Sequence, residues 1–177
     1  MIRLSSTIAG LVLLVLLFQV TPTLAQAPQP VLAVREVASK YDALAVVEGD
    51  PKRRFVYGTS RGVLYLMEWR NGRYVESWSS PLLGARMVGV FVADLAGNGR
   101  QAMIAYTSRG VIAAYDINTH RQLWKMPEND FSSITTMTIA NLDDDKAMEM
   151  LFLSGGILYQ YDGRIHAEEW RSQTSYQ

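Results

Sequence analysis

The 177 residues include no cysteine. That excludes a disulfide framework, a thiolate metal site, a lipidated N-terminal cysteine and a thiol nucleophile. Excess charge of either sign is also missing, with Lys+Arg and Asp+Glu at 17 each. A phosphate backbone demands a basic patch and none is visible, which argues against nucleic acid as a partner. Histidine is scarce, His120 and His166 being the whole supply. Long hydrophobic runs are scarce too. The one present, residues 8–20, has 13 residues, short of the ~20 that span a bilayer as a helix.

That run follows a single Arg3 and precedes small residues at Thr23, Ala25 and Ala27, the layout of a secretory signal peptide. Cleavage after Ala27 would place Pro28 first, so the expected cut follows Ala25 and leaves Gln26 as the mature N-terminus. An uncleaved anchor is the alternative. Either way the bulk of the chain leaves the cytoplasm, for a secreted or periplasmic location and with no membrane span after cleavage. Residues 26–40 read as a linker, with "VLAVRE" (31–36) as an extra strand.

What is abundant is repetition. "TSRGV" occurs twice, and its glycines, Gly62 and Gly110, have a third counterpart in Gly156. Trp78, Trp124 and Trp170 are spaced 46 residues apart. Apolar runs recur upstream of each glycine: "RFVYG", "QAMIAY" and "MEMLFL", preceded by "ALAVVEG", "VGVFVAD" and "TMTIANL". Three landmarks in register mark a repeat. Each unit holds four short runs rich in β-formers, none long enough for a helix. Asn71-Gly72 and Asp162-Gly163 add hairpin turn signals. Four antiparallel strands in ~45 residues is the size of a β-propeller blade. The expected fold is therefore all-β: three four-stranded antiparallel blades, residues 41–80, 86–126 and 133–172, of an open partial propeller, with 173–177 as a tail.

The first copy, Gly58-Thr59-Ser60-Arg61-Gly62, also spells Gly-x-Ser-x-Gly. A nucleophile elbow needs a strand-to-helix turn and a histidine base. Here Tyr106 replaces the first glycine in the second copy and no helix pattern follows. The motif reads as a hairpin turn, with glycine supplying positive φ and serine bonding the turn backbone.

"ADLAGNGRQAMIAY" and "ANLDDDKAMEMLFL" resemble the integrin-type FG-GAP and bacterial VCBS repeats, in which an Asp-rich loop joins two strands. "GVIAAYDINTHRQLW" is similar to the quinoprotein-like repeat of outer-membrane assembly propellers. The resemblance spans about 130 residues and implies fold far more than function. It implies calcium at blade three, where Asn141, Asp143, Asp145 and Glu149 fall on alternate ligand places, with the Ala147 carbonyl as a further oxygen. Lys146 replaces the usual glycine. The alternative is a solvated acidic turn. In blade two the same loop reads Asp94, Ala96, Asn98 and Ala102, so two of four ligands are missing. A quinone-dependent dehydrogenase would enclose its cofactor in a full ring, which three blades do not provide.

Other candidates are weaker. Arg61 and Arg109 sit at equivalent turns and could grip an anion bidentately, although turn arginines are commonly just solvated. The tryptophans are expected in outermost strands, packing against neighbours, with carbohydrate stacking as the alternative. Methionines read as core filler. The histidines lie a blade apart, read as exposed strand ends, and do not suit a shared metal site.

Closed propellers have four to eight blades. Three would leave a terminal apolar face bare, which monomers rarely tolerate. A second copy, a partner's blades, or further blades of a longer propeller of which this chain is a fragment would cover it. The expectation is a non-catalytic module, not an enzyme, that binds a protein partner or self-associates in an envelope or extracellular assembly. A calcium-dependent adhesin or lectin-like module is the alternative. Beyond calcium no cofactor is expected.

Overall fold

A computed structural model of the chain describes residues 43–127 and 129–176. The expected signal peptide and cleavage site (1–25), linker (26–40) and strand at 31–36 lie outside the described residues.

The architecture is all-β. Blade one comprises β1 Ala43–Val46, β2 Phe55–Gly58, β3 Leu64–Arg70 and β4 Arg73–Ser79. Blade two comprises β5 Met87–Ala93, β6 Ala102–Thr107, β7 Ile112–Asp116 and β8 Gln122–Lys125. Blade three comprises β9 Thr136–Ala140, β10 Glu149–Ser154, β11 Ile157–Asp162 and β12 Glu168–Arg171. Each is an antiparallel meander with strands in sequence order, and no sheet closes on itself. The result is an arc of three blades, with β5 lying against both β1 and β9 on the inner side.

Side-chain alternation explains the stacking. Along β6 and β7 of blade two, Met103, Ala105, Ala113 and Tyr115 face blade one, where they meet Val56, Leu64 and Leu66. The intervening Ile104, Tyr106, Ile112 and Ala114 face blade three, where they meet Met150 and Phe152. Because both faces are covered, every residue of β6 and β7 is buried. Such a strand reads as a continuous apolar run, not as alternation. The outermost strands β4, β8 and β12 are largely exposed or half-buried.

The repeated Thr-Ser-Arg-Gly is a β2–β3 and β6–β7 hairpin turn. Gly62 and Gly110 have φ of 80° and 82°, a region that favours glycine. The turn is closed by threonine, not by the serine that the sequence suggested. Val63 N–H donates to Thr59 Oγ1 at 3.3 Å, and Val111 N–H donates to Thr107 Oγ1 at 3.2 Å. The serine is exposed in both copies, and Ser108 N–H donates to the Arg86 carbonyl of the linker from blade one at 2.9 Å.

These glycines have a second duty. A Cβ on Gly62 would run into the Ala85 carbonyl, and one on Gly110 into that of Phe131. Each thus lies beneath the linker to the next blade. Gly110→Ala combines left-handed strain with a backbone clash and is expected to cost about 1–3 kcal/mol or more. Gly49→Ala is the control, since Gly49 also has positive φ but nothing within 4 Å of its added Cβ. Chemical denaturation that shows equal losses for the two variants would remove the linker contribution.

Candidate functional site

The β9–β10 loop gathers carboxylates. Oxygens of Asp143, Asp145 and Glu149 lie within 4.8 Å of one another, the first exposed and the last buried. Glu149 Oε2 accepts the Leu142 N–H, while Glu149 Oε1 is buried without a partner. An unsatisfied buried carboxylate oxygen is costly. Three further carboxylate oxygens of the cluster are engaged. Asp143 Oδ1 accepts Asp145 N–H at 2.8 Å, and Asp145 Oδ1 accepts Ala147 N–H at 2.6 Å. Arg164 Nη2 donates to Asp145 Oδ2 at 2.6 Å and already supplies a positive charge.

Asn141 and the Ala147 carbonyl, both expected as ligands, bond to each other instead. Asn141 Nδ2 donates to the carbonyls of Asp145 and Ala147, at 2.8 and 3.1 Å. Three carboxylates and a free Glu149 oxygen fit a hard cation. Using Ala147, or the second oxygen of Asp145, would require those existing bonds to yield. Blade two's loop is a closed turn, with Asp94 accepting the N–H groups of Asn98 and Gly99 at 3.0 and 2.6 Å.

Arg61 and Arg109 are both exposed. Arg109 borders a recess of about 230 Å³ with Leu82, Lys125 and Asn129, and Arg61 does not line it. A groove of about 420 Å³ crosses the inner strands, lined by Ala45, Phe91, Ile139 and Met148, with Glu48 its single ionisable lining group. That lining carries no acid–base pair. Among the described residues no helix is long and apolar enough to cross a membrane.

The histidines are not exposed strand ends. Each is half-buried and stacked on a tryptophan of the preceding blade. Trp78 and His120 have ring centroids 5.7 Å apart at 26°, and Trp124 and His166 4.4 Å apart at 5°. An Asp four residues earlier builds the turn that places each ring. Asp116 Oδ1 accepts the Asn118 and Thr119 N–H groups and its carbonyl accepts that of His120. Asp162 does the same for Arg164, Ile165 and His166. Both histidines take positive φ, 63° and 56°. The signal was available in the sequence: each histidine follows its tryptophan by 42 residues.

Burial, helped by Arg54 and opposed by Asp116, holds His120 below its ordinary 6.5. Burial against the opposing pull of Asp162 lowers His166 likewise. As pH falls below 6.5, the unfolded chain takes up protons before the folded one, so stability falls. Above 6.5 this contribution is constant. The melting temperature should therefore decline on acidification through that window, and the decline should be smaller in H120Q/H166Q. An unchanged slope in the double variant would assign the effect elsewhere.

The blade-three face pointing away from blade two is a partly exposed apolar surface. Leu151, Leu153 and Leu158 are half-buried there, and Trp170 is 48% exposed. Their counterparts Ile104 and Ile112 in blade two are 0% exposed.

No protein-family profile and no curated protein matches the chain. Among solved structures it is similar to a computationally designed protein, Ika8, at 14% identity and a TM-score of 0.55. The match covers 75% of this chain and 36% of the designed one, so this chain spans about a third of that structure's length. The likeness is one of fold.

Proposed function

We propose that the chain is an exported, non-catalytic propeller-like module that works by binding protein, as a subunit or scaffold of an envelope or extracellular assembly. The bare face of blade three carries this reading. Three leucines and a tryptophan stand where the equivalent surfaces of blades one and two are sealed by a following blade. Contiguous apolar surface of this kind marks an interaction site. Export rests on the N-terminal apolar run and the small residues after it. The test is the mass of the chain from Gln26 by light scattering, followed by cross-linking in envelope extracts. Monomer alone, with no cross-linked species through a reactive group at residue 170, would sink the reading.

A second reading, a calcium-dependent adhesin or lectin-like module, draws support from the orphaned Glu149 oxygen beside Asp143 and Asp145. Calcium at 100 times its Kd should then stabilise the fold by about 2.7 kcal/mol, and Glu149→Gln should abolish the increment. A melting curve indifferent to calcium and chelator would dismiss this site.

A further inference from the structure

The segment after blade three takes the same course as the segment after blade one. Ser80 N–H donates to the Leu64 carbonyl at 2.8 Å, and Ser80 Oγ accepts Leu64 N–H at 3.0 Å. Ser172 makes the same two bonds with Leu158, at 2.9 and 3.2 Å. Farther on, Leu83 N–H donates to the Gly62 carbonyl, and Tyr176 N–H to that of Gly156. Gly62 lies beneath Ala85 of the linker to blade two, and Gly156 lies beneath Ser175 and Tyr176. The connection that leads onto a following blade is thus already laid down beside the bare face.

The face itself follows the interior pattern. The cross-strand pair Leu153 and Leu158 of β10 and β11 corresponds to Tyr106 and Ile112 of β6 and β7, which are sealed beneath blade three. Trp170 pairs with Gln160 across β11 and β12 just as Trp124 pairs with Ala114 and Trp78 with Leu66. Trp78 and Trp124 are each covered by a histidine from the next blade. Trp170 is 48% exposed.

We propose that this face receives a further blade of the same repeat, whose Asp-x-x-x-His turn stacks its imidazole on Trp170. The inference rests on the protein-binding reading above and names the occupant's chemistry. A second copy of this chain does not supply that chemistry. Its blade one has Glu68 where Asp116 and Asp162 build the other turns, and the turn closes in two residues, Asn71-Gly72. Phe55 and Tyr57 of that blade are already buried.

The test uses the chain extended beyond Gln177 by a second copy of residues 127–176. Acrylamide quenching of tryptophan is read against Trp170→Phe in both the parent and the extended chain. The expected result is loss of the quenchable component that Trp170 contributes in the parent. Changing the histidine of the added copy to Ala should restore it. A second extension carrying residues 81–126 guards against misfolding of the first, since that blade's Met103, Ala105 and Tyr115 already pack on the equivalent face of blade one. If neither extension protects Trp170, the proposal is overturned. Light scattering of the parent is the remaining arm. A dimer that shields Trp170 makes a second copy the occupant, which overturns this inference but leaves the protein-binding reading standing. A parent that neither associates nor cross-links in extracts ends the broader reading, whatever the extensions do.

Discussion

Arg54→Ala is expected to destabilise the fold by about 3–5 kcal/mol, because it removes one member of a buried ion pair and strands the other. The Arg54 and Asp50 side chains are 7% and 6% exposed and 2.6 Å apart. Asp50 also accepts Arg54 Nη2 and the Arg54 backbone N–H, at 3.2 and 3.1 Å. The guanidinium then crosses to blade two, donating to the Ile117 carbonyl at 2.9 Å and to Asn118 Oδ1 at 3.1 Å. One side chain thus ties the β1–β2 loop of blade one to the β7–β8 turn that carries His120. Losing it leaves a buried carboxylate and an unbonded carbonyl.

The pH dependence separates this pair from the histidine stacks. Burial raises Asp50, but hydrogen bonds from Arg54 and its charge outweigh burial and hold the carboxyl below its ordinary 3.8. A depressed carboxylate contributes stability that is present above the unfolded value and is lost as pH falls through the folded one. Asp50's own share of the acid-labile stability below 3.8 should therefore vanish in Arg54→Ala, while the histidine-linked decline below 6.5 changes far less. Arg54→Lys should recover little, since an ammonium cannot bridge Asp50 and two acceptors in blade two at once. Denaturant titrations that show a loss under 1 kcal/mol would mean the pair behaves as a surface one.

Phe152→Ala carries the second large expectation, a loss of about 3–5 kcal/mol from transfer and cavity together. Phe152 is 0% exposed and meets Phe131 edge-on at 4.9 Å, Tyr159 at 5.4 Å and Tyr161 at 5.4 Å. Phe131 belongs to the linker whose carbonyl covers Gly110. The cavity would therefore open between blade three and the segment that delivers it. Leu153→Ala is the comparison. Leu153 is the next residue along β10 but points to the bare face and is only half-buried. It should cost well under half as much in the isolated chain, and more once a partner blade is seated. Equal losses for the two would mean that the face is already sealed.

The blade count, the strand order and the hairpin glycines could be read from the sequence. A propeller blade is a local meander, so its signals (apolar runs, turn residues and a recurring tryptophan) lie within one unit, and three copies in register reinforce one another. The candidate cation loop was legible as a pattern of residue types. It was not legible as geometry. Whether Asn141 offers an oxygen or a nitrogen, and whether Arg164 reaches Asp145, depends on how β9–β10 and the β11–β12 turn meet.

Contacts between blades were the least legible. Arg54 stands among several basic residues in "PKRRF" with nothing to single it out, and His120 and His166 read as exposed strand ends. Their partners lie more than 40 residues away, and no local periodicity encodes a pairing across two units. The constant tryptophan-to-histidine spacing was present, but it gains meaning only once Trp78 and Trp124 are known to face the following blade. By itself the sequence determined an all-β chain of three repeated four-stranded sheets, because strand and turn formation depend on neighbours along the chain. Which face of each sheet stacks on the next blade, the buried Arg54 bridge and the exposure of Trp170 were decided only by tertiary structure. Those features depend on which face another blade covers, and that is settled by packing between units distant in sequence.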